Sequence, residues 1–233
     1  MRTRLFAVGE VVLCSSVPTQ LAIVVALAMV GIRAGEDGTL SMAYVVAVSL
    51  GDSVLLIALM TWLTRLRGES PARLWVGGRP IGREALHGLS LTPAIFALVV
   101  VLLLSVRAYA PWLHNVATNP LEALARQGPV EAAVFGLVAI VAGGVREELQ
   151  RAFLLDRFER HLGGAGVGLF AISLAFGLGH YLQGWDAVIT TAAMGAFWGV
   201  VYLRRRSAVA PIVCHSAFNS LEILRVAAGG GAG

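Results

Sequence analysis

Long apolar runs separated by short polar stretches set the pattern of this chain. A spanning helix needs roughly 20 mostly apolar residues. Seven runs meet or approach that length: 8–32, 41–64, 86–106, 130–150, 165–183, 187–203 and 208–226. The pattern predicts an all-α fold, a polytopic transmembrane helix bundle of about seven spans. It predicts a single membrane domain over 1–233. Residues 1–129 carry the N-terminal spans, 130–226 carry the spans with polar motifs, and 227–233 form a Gly-rich tail. The first run is too long for a signal peptide, and no small-residue cleavage site with a soluble domain follows it. No internal repeat is visible.

Composition strengthens this picture. The chain is 57% hydrophobic and 14% charged, with a mean hydropathy of +0.77, where soluble domains carry about 25% charged residues. All 18 basic residues are arginine, which is read as the mark of a G+C-rich genome and leans toward a bacterial cytoplasmic membrane. The net charge of +4 therefore reports loop arginines rather than nucleic-acid binding. Arg2 and Arg4 precede the first run; Arg65, Arg67, Arg73, Arg79 and Arg83 follow the second. Arg157 and Arg160 follow the fourth, and Arg204, Arg205 and Arg206 the sixth. The alternate loops 33–40 and 184–186 are poor in arginine, so the positive-inside rule puts the N-terminus and the arginine clusters in the cytoplasm and the C-terminus outside. Arg107 and Arg126 run against the trend. Trp62, Trp112 and Trp185 lie near span ends, as interfacial anchors do. Cys14 and Cys214 lie in apolar runs and suggest no disulfide framework.

Ionisable residues inside spans are costly and mark function by default. Glu10 and Asp52 are read as interfacial or as hydrogen-bonded to a neighbouring helix. His87 and Glu222 sit near span ends, and His114 and His161 in loops. Three clusters stand apart. Glu147, Glu148 and Arg151 close the fourth run, with Arg151 in helical reach of both acids. Phe176-Gly177-Leu178-Gly179-His180 closes the fifth. His215 and Asn219 share one face of the last. A bundle interior that gathers a carboxylate, two imidazoles and a carboxamide can activate water and hold an oxyanion. Taken alone, the first cluster also reads as a charged helix end. Glu147 and His180 flank the Gly163-Gly164 turn symmetrically, each roughly 24 Å away if both arms are helical. His215 stands only roughly 14 Å beyond Arg206. That mismatch suggests that 151–162 is partly an amphipathic cytoplasmic extension, or that Gly177 and Gly179 bend the fifth run.

These three clusters, in this order, resemble the motifs of the CAAX prenyl endopeptidase and bacteriocin-processing family of intramembrane proteases, also called the CPBP or ABI family. Its pattern is EExxxR, then FxxxH, then HxxxN or HxxxB, each on its own membrane helix. Glu147-Glu148, Phe176–His180 and His215–Asn219 fit it, and the resemblance covers roughly 130–225. The family arginine stands five positions after the first Glu; here that position is Ala152, and the arginine is Arg151. A one-residue shift turns a side chain by about 100° around a helix, yet leaves Arg151 able to pair with Glu147. The resemblance implies that Glu147 is the base that activates water and that His180 helps to position it. It implies that His215 and Asn219 form the oxyanion hole, and that Glu148 is a supporting acid paired with Arg146 or Arg151. It implies no cofactor and no metal. The expected partners are the lipid bilayer and a membrane-associated or lipid-linked peptide substrate. Two alternatives stay open: a zinc site built from His180, His215 and a glutamate, and a non-catalytic immunity or scaffold protein of the same family. No inverted repeat or broken-helix pair speaks for a transporter.

Overall fold

The computed structural model describes residues 2–34, 41–117 and 119–229. Most of the 33–40 loop and the tail from 230 onward lie outside the described residues. Among those described, every regular element is helical. In chain order the α-helices are α1 (Arg2–Leu13), α2 (Val17–Met29), α3 (Met42–Leu66), α4 (Pro71–Trp75), α5 (Ile81–Tyr109), α6 (Pro120–Ala125), α7 (Pro129–Val138), α8 (Glu147–His161), α9 (Ala165–Leu178), α10 (Trp185–Arg205) and α11 (Val209–Ala227). A π-helical stretch, Ala139–Arg146, joins α7 to α8.

Among the described residues, four helical segments are long and apolar enough to cross a membrane: α3, α5, the continuous α7–π–α8 run Pro129–His161, and α10. A fifth is counted if α1 and α2 are one span bent by 42°. The expectation of about seven is not reached, for three local reasons. The first run is broken at Ser16, which takes a left-handed φ of 71° just before Pro18. The fifth run stops at Leu178 after 14 residues, about 21 Å of helix against a core of about 30 Å. The last run is long enough but carries His215, Ser216, Asn219, Ser220 and Glu222 along its length.

Capping chemistry explains several boundaries. Ser41 and Ser70 accept the backbone N–H three residues on at the starts of α3 and α4, as good N-caps do. Asn119 caps α6 with Pro120 at its first position, where the missing N–H costs nothing. The turn from α8 to α9 needs Gly163 and Gly164, whose φ values are 104° and 96°; side chains disfavour that region.

Packing places α8 at the centre. Phe153 and Leu154 meet Cys14, Leu56 and Met60 of the α1 and α3 side. Ala152 and Leu155 meet Tyr202 and Ala208 of the α10 side. A third cluster joins α5, α10 and α11 through Ile95, Trp198, Cys214 and Phe218. Arg157 is fully buried, so the 151–162 arm is a core element of the bundle and not a peripheral extension. Its charge is met by Glu10 at 3.0 Å, Glu69 at 2.8 Å and Asp156 at 2.7 Å. The height mismatch narrows for Glu147 because Arg206 is level with Glu159 and not with the Gly163-Gly164 turn. Arg206 lies against Glu159, and from that level both Glu148 and His215 lie roughly 15 Å along their helices.

Candidate active site

The site forms where the π stretch meets α11. A π turn is rare and frequently marks a functional position. Here it carries Gly143 and Gly144 against the polar face of α11. A Cβ on Gly143 would fall 2.6 Å from Asn219 Nδ2, and one on Gly144 2.0 Å from Ser216 Oγ. Only glycine permits this approach. It lets Asn219 Nδ2 donate to the Ala139 carbonyl at 3.1 Å and brings His215 to the first turn of α8.

Glu148 is buried there. Arg151 donates to its two oxygens from Nε at 3.0 Å and from a terminal nitrogen at 3.2 Å. His215 Nδ1 donates to the same carboxylate at 2.9 Å. Arg151 therefore pairs with Glu148, three residues away, and not with Glu147 as its four-residue spacing also allowed. The reason is its second face: the guanidinium lies 4.5 Å from the Phe176 ring centroid. The helix behind it is open at Gly195, whose absent Cβ would sit 3.0 Å from the Arg151 guanidinium and 2.8 Å from Phe176. Gly195 and Gly199 are the small-xxx-small face that lets membrane helices approach.

Glu147 turns the other way, into a cavity of about 720 Å³ that it lines together with His180, His215 and Asn219. His180 Nδ1 lies 2.8 Å from the Phe176 carbonyl, which can only accept, so Nδ1 carries the hydrogen and Nε2 of the neutral ring is an acceptor. His215 is stacked on Trp198 at 3.8 Å between ring centroids. The expected residues thus fall into two layers. Glu147, His180, His215 and Asn219 face the cavity, while Glu148 and Arg151 lie behind, holding His215.

Residues 129–221 match the family model described as type II CAAX prenyl endopeptidase, Rce1-like. Over that stretch the chain is similar to the CAAX protease family. All six candidate residues lie inside it. The match and the apolar helices support a membrane-embedded protein related to a peptidase family. No curated protein and no solved structure matches the chain. Among the described residues, no three His, Cys, Asp or Glu side chains are grouped to hold a metal ion.

Other residues of the site had a different reading in the sequence, or none; Arg146, named as a possible partner of Glu148, lies beside Glu147 instead. Arg146 sits 3.7 Å from Glu147 and 3.5 Å from Asp52, and donates to Ser16 and Gln150 at 3.1 Å each. Its place directly before the acid pair was the available signal. Trp198 forms the floor under His215. His114, read as a loop residue, bonds Asp186 at 2.7 Å, and both line the far end of the cavity. Nothing in the local sequence marked that pair.

Proposed function

We propose that this chain is a CAAX protease family member, an intramembrane endopeptidase that hydrolyses a peptide bond of a membrane-associated or lipid-linked peptide with water activated by Glu147. The observation that carries this reading is the cavity in which Glu147, His180, His215 and Asn219 meet. A water there has one hydrogen for Glu147 and one for His180 Nε2, which leaves a lone pair for the scissile carbonyl. Glu147 takes the proton as the water attacks and returns it to the leaving amine. One N–H of Asn219 is spent on Ala139, and the other is free for the oxyanion. His215, held by Glu148 through Nδ1, presents Nε2 beside the Asn219 carboxamide. Attack is by water directly, with no covalent enzyme intermediate. The apolar walls, among them Phe135, Val138, Met194 and Phe218, suit an apolar peptide segment.

The test is cleavage of a library of membrane peptides by protein in liposomes. Glu147→Gln keeps the shape of the side chain but cannot take the proton, and the expected loss is about 10²–10⁴-fold in rate. Asn219→Ala is expected to lose about 10²–10³-fold. Wild-type rates from Glu147→Gln would overturn the mechanism. A wild type that cleaves nothing yet retains a protein partner would favour a binding role instead.

A further inference from the structure

A second cavity, of about 900 Å³, opens at the arginine-rich end of the bundle, well apart in the fold from the site above. Six arginines line it: Arg73, Arg79, Arg160, Arg204, Arg205 and Arg206. The lining acids are Glu69 and Asp156, and both are engaged by Arg157 and Arg160. Arg205 is held by Glu84 at 3.1 Å and 2.5 Å, and Arg206 by Glu159 at 2.5 Å and 2.7 Å. The remaining three guanidiniums have little or no compensation. Arg73 and Arg204 have no carboxylate partner among the described residues, and Arg79 only shares Glu84, at 3.9 Å. The pocket therefore holds an excess of positive charge.

Its walls are fixed before any ligand arrives. Ala208 N donates to Trp75 O at 2.7 Å, Arg79 Nε to Arg205 O at 3.0 Å, and Tyr202 Oη to Leu74 O at 3.2 Å. Gly77, at φ 71°, presses so closely on the Arg206 carbonyl that a Cβ would fall 2.2 Å from it. The α4–α5 loop and the α10–α11 turn are thus tied together, and Arg73 and Arg204 line the pocket beside that frame. Preorganisation of this kind removes much of the ordering cost of binding.

The geometry points to a binding site for a phosphate group in this pocket, presented by the headgroup of an anionic phospholipid. The pocket lies where α3 and α10 end and α5 begins, so it stands at headgroup level. Leu66 and Ile81, two residues outside its lining on either side, are 63% and 59% exposed. They offer acyl chains an apolar surface beside the charged pocket, which a soluble anion would not use. Basic clusters at such positions recognise anionic lipid.

The test uses the full chain in nanodiscs of phosphatidylcholine alone or mixed with phosphatidylglycerol, read by thermal unfolding and by native mass spectrometry of retained lipid. Wild type should melt higher in the mixed discs and retain phosphatidylglycerol. Arg73→Gln/Arg204→Gln should match wild type in phosphatidylcholine, lose most of the increment, and retain phosphatidylglycerol about 30-fold less well. Arg33→Gln, outside the pocket, should keep the increment. Equal increments in wild type and the double variant, or none in either, would overturn the site. Equal stabilisation by inorganic phosphate added to phosphatidylcholine discs would overturn the lipid as its source.

Discussion

Arg151 shows how one side chain holds several others. It satisfies a buried carboxylate, covers an aromatic ring and, through Glu148, fixes the orientation of His215. Arg151→Ala leaves Glu148 buried with half its partners, and breaking a buried pair costs about 3–5 kcal/mol. The expected outcome is a large drop in melting temperature in detergent together with loss of cleavage. Arg151→Lys should recover little of either, because an ammonium cannot bond two carboxylate oxygens side by side or lie flat on Phe176. A lysine variant as stable as wild type would show that charge alone suffices. The reading of Glu147 as the base that activates water carries a second expectation. Chelators should leave activity intact, and metal analysis should find no stoichiometric zinc. About one zinc per chain, lost on His180→Ala, would contradict it.

At the scale of elements, the contact between the π stretch and α11 decides whether the cavity exists. Gly144→Ala forces a methyl group into Ser216, whose Oγ, Cβ and Cα lie 2.0, 3.0 and 3.2 Å from the added atom. Overpacking of this kind costs about 1–3 kcal/mol and pushes Asn219 away from Ala139. Gly144→Ala/Ser216→Gly removes two of the three clashing atoms and should restore part of the stability. Strict additivity in that cycle would argue against direct contact. The sequence carried much of this level but not all. The residues that meet at the cavity were legible because a polar side chain in an apolar run is costly unless it faces the bundle interior and meets a partner there. Glu10 and Asp52 were legible as interhelical hydrogen-bonding groups on the same ground. The π turn was not, because Gly143-Gly144 is equally compatible with an ordinary helix. The division of labour between Glu147 and Glu148 was hidden too. Neighbours on a helix point about 100° apart, and only the position of Phe176 and Gly195 tells which one meets the arginine.

For the whole molecule, the gathering of Arg73, Arg79, Arg160 and Arg204–Arg206 at one end of the bundle makes orientation a sharp expectation. That end should face the cytoplasm. Cysteines introduced at Gly78 and Leu182 would report opposite sides. An impermeant reagent applied from outside should modify Leu182→Cys and spare Gly78→Cys, and the reverse pattern would invert the topology. The native Cys14 and Cys214 are both buried, so the background should be low. The number of crossings was less legible than the sidedness. Hydropathy registers how apolar a run is but not where it breaks, and a left-handed Ser16 or a helix ending at Leu178 leaves little trace in an average.

The guanidinium of Arg146 and the carboxamide of Gln150 reach back to the α1–α2 break, bonding Ser16, the Cys14 carbonyl and Asp52. Arg157 depends in the same way on Glu10. All of those partners lie upstream of the stretch that carries the family signature. The signature is therefore not a portable cassette. Grafted onto foreign N-terminal helices, it would bring two buried cations with only Glu147 and Asp156 still beside them, and an engineer would have to carry Glu10, Ser16, Asp52 and Glu69 along with it.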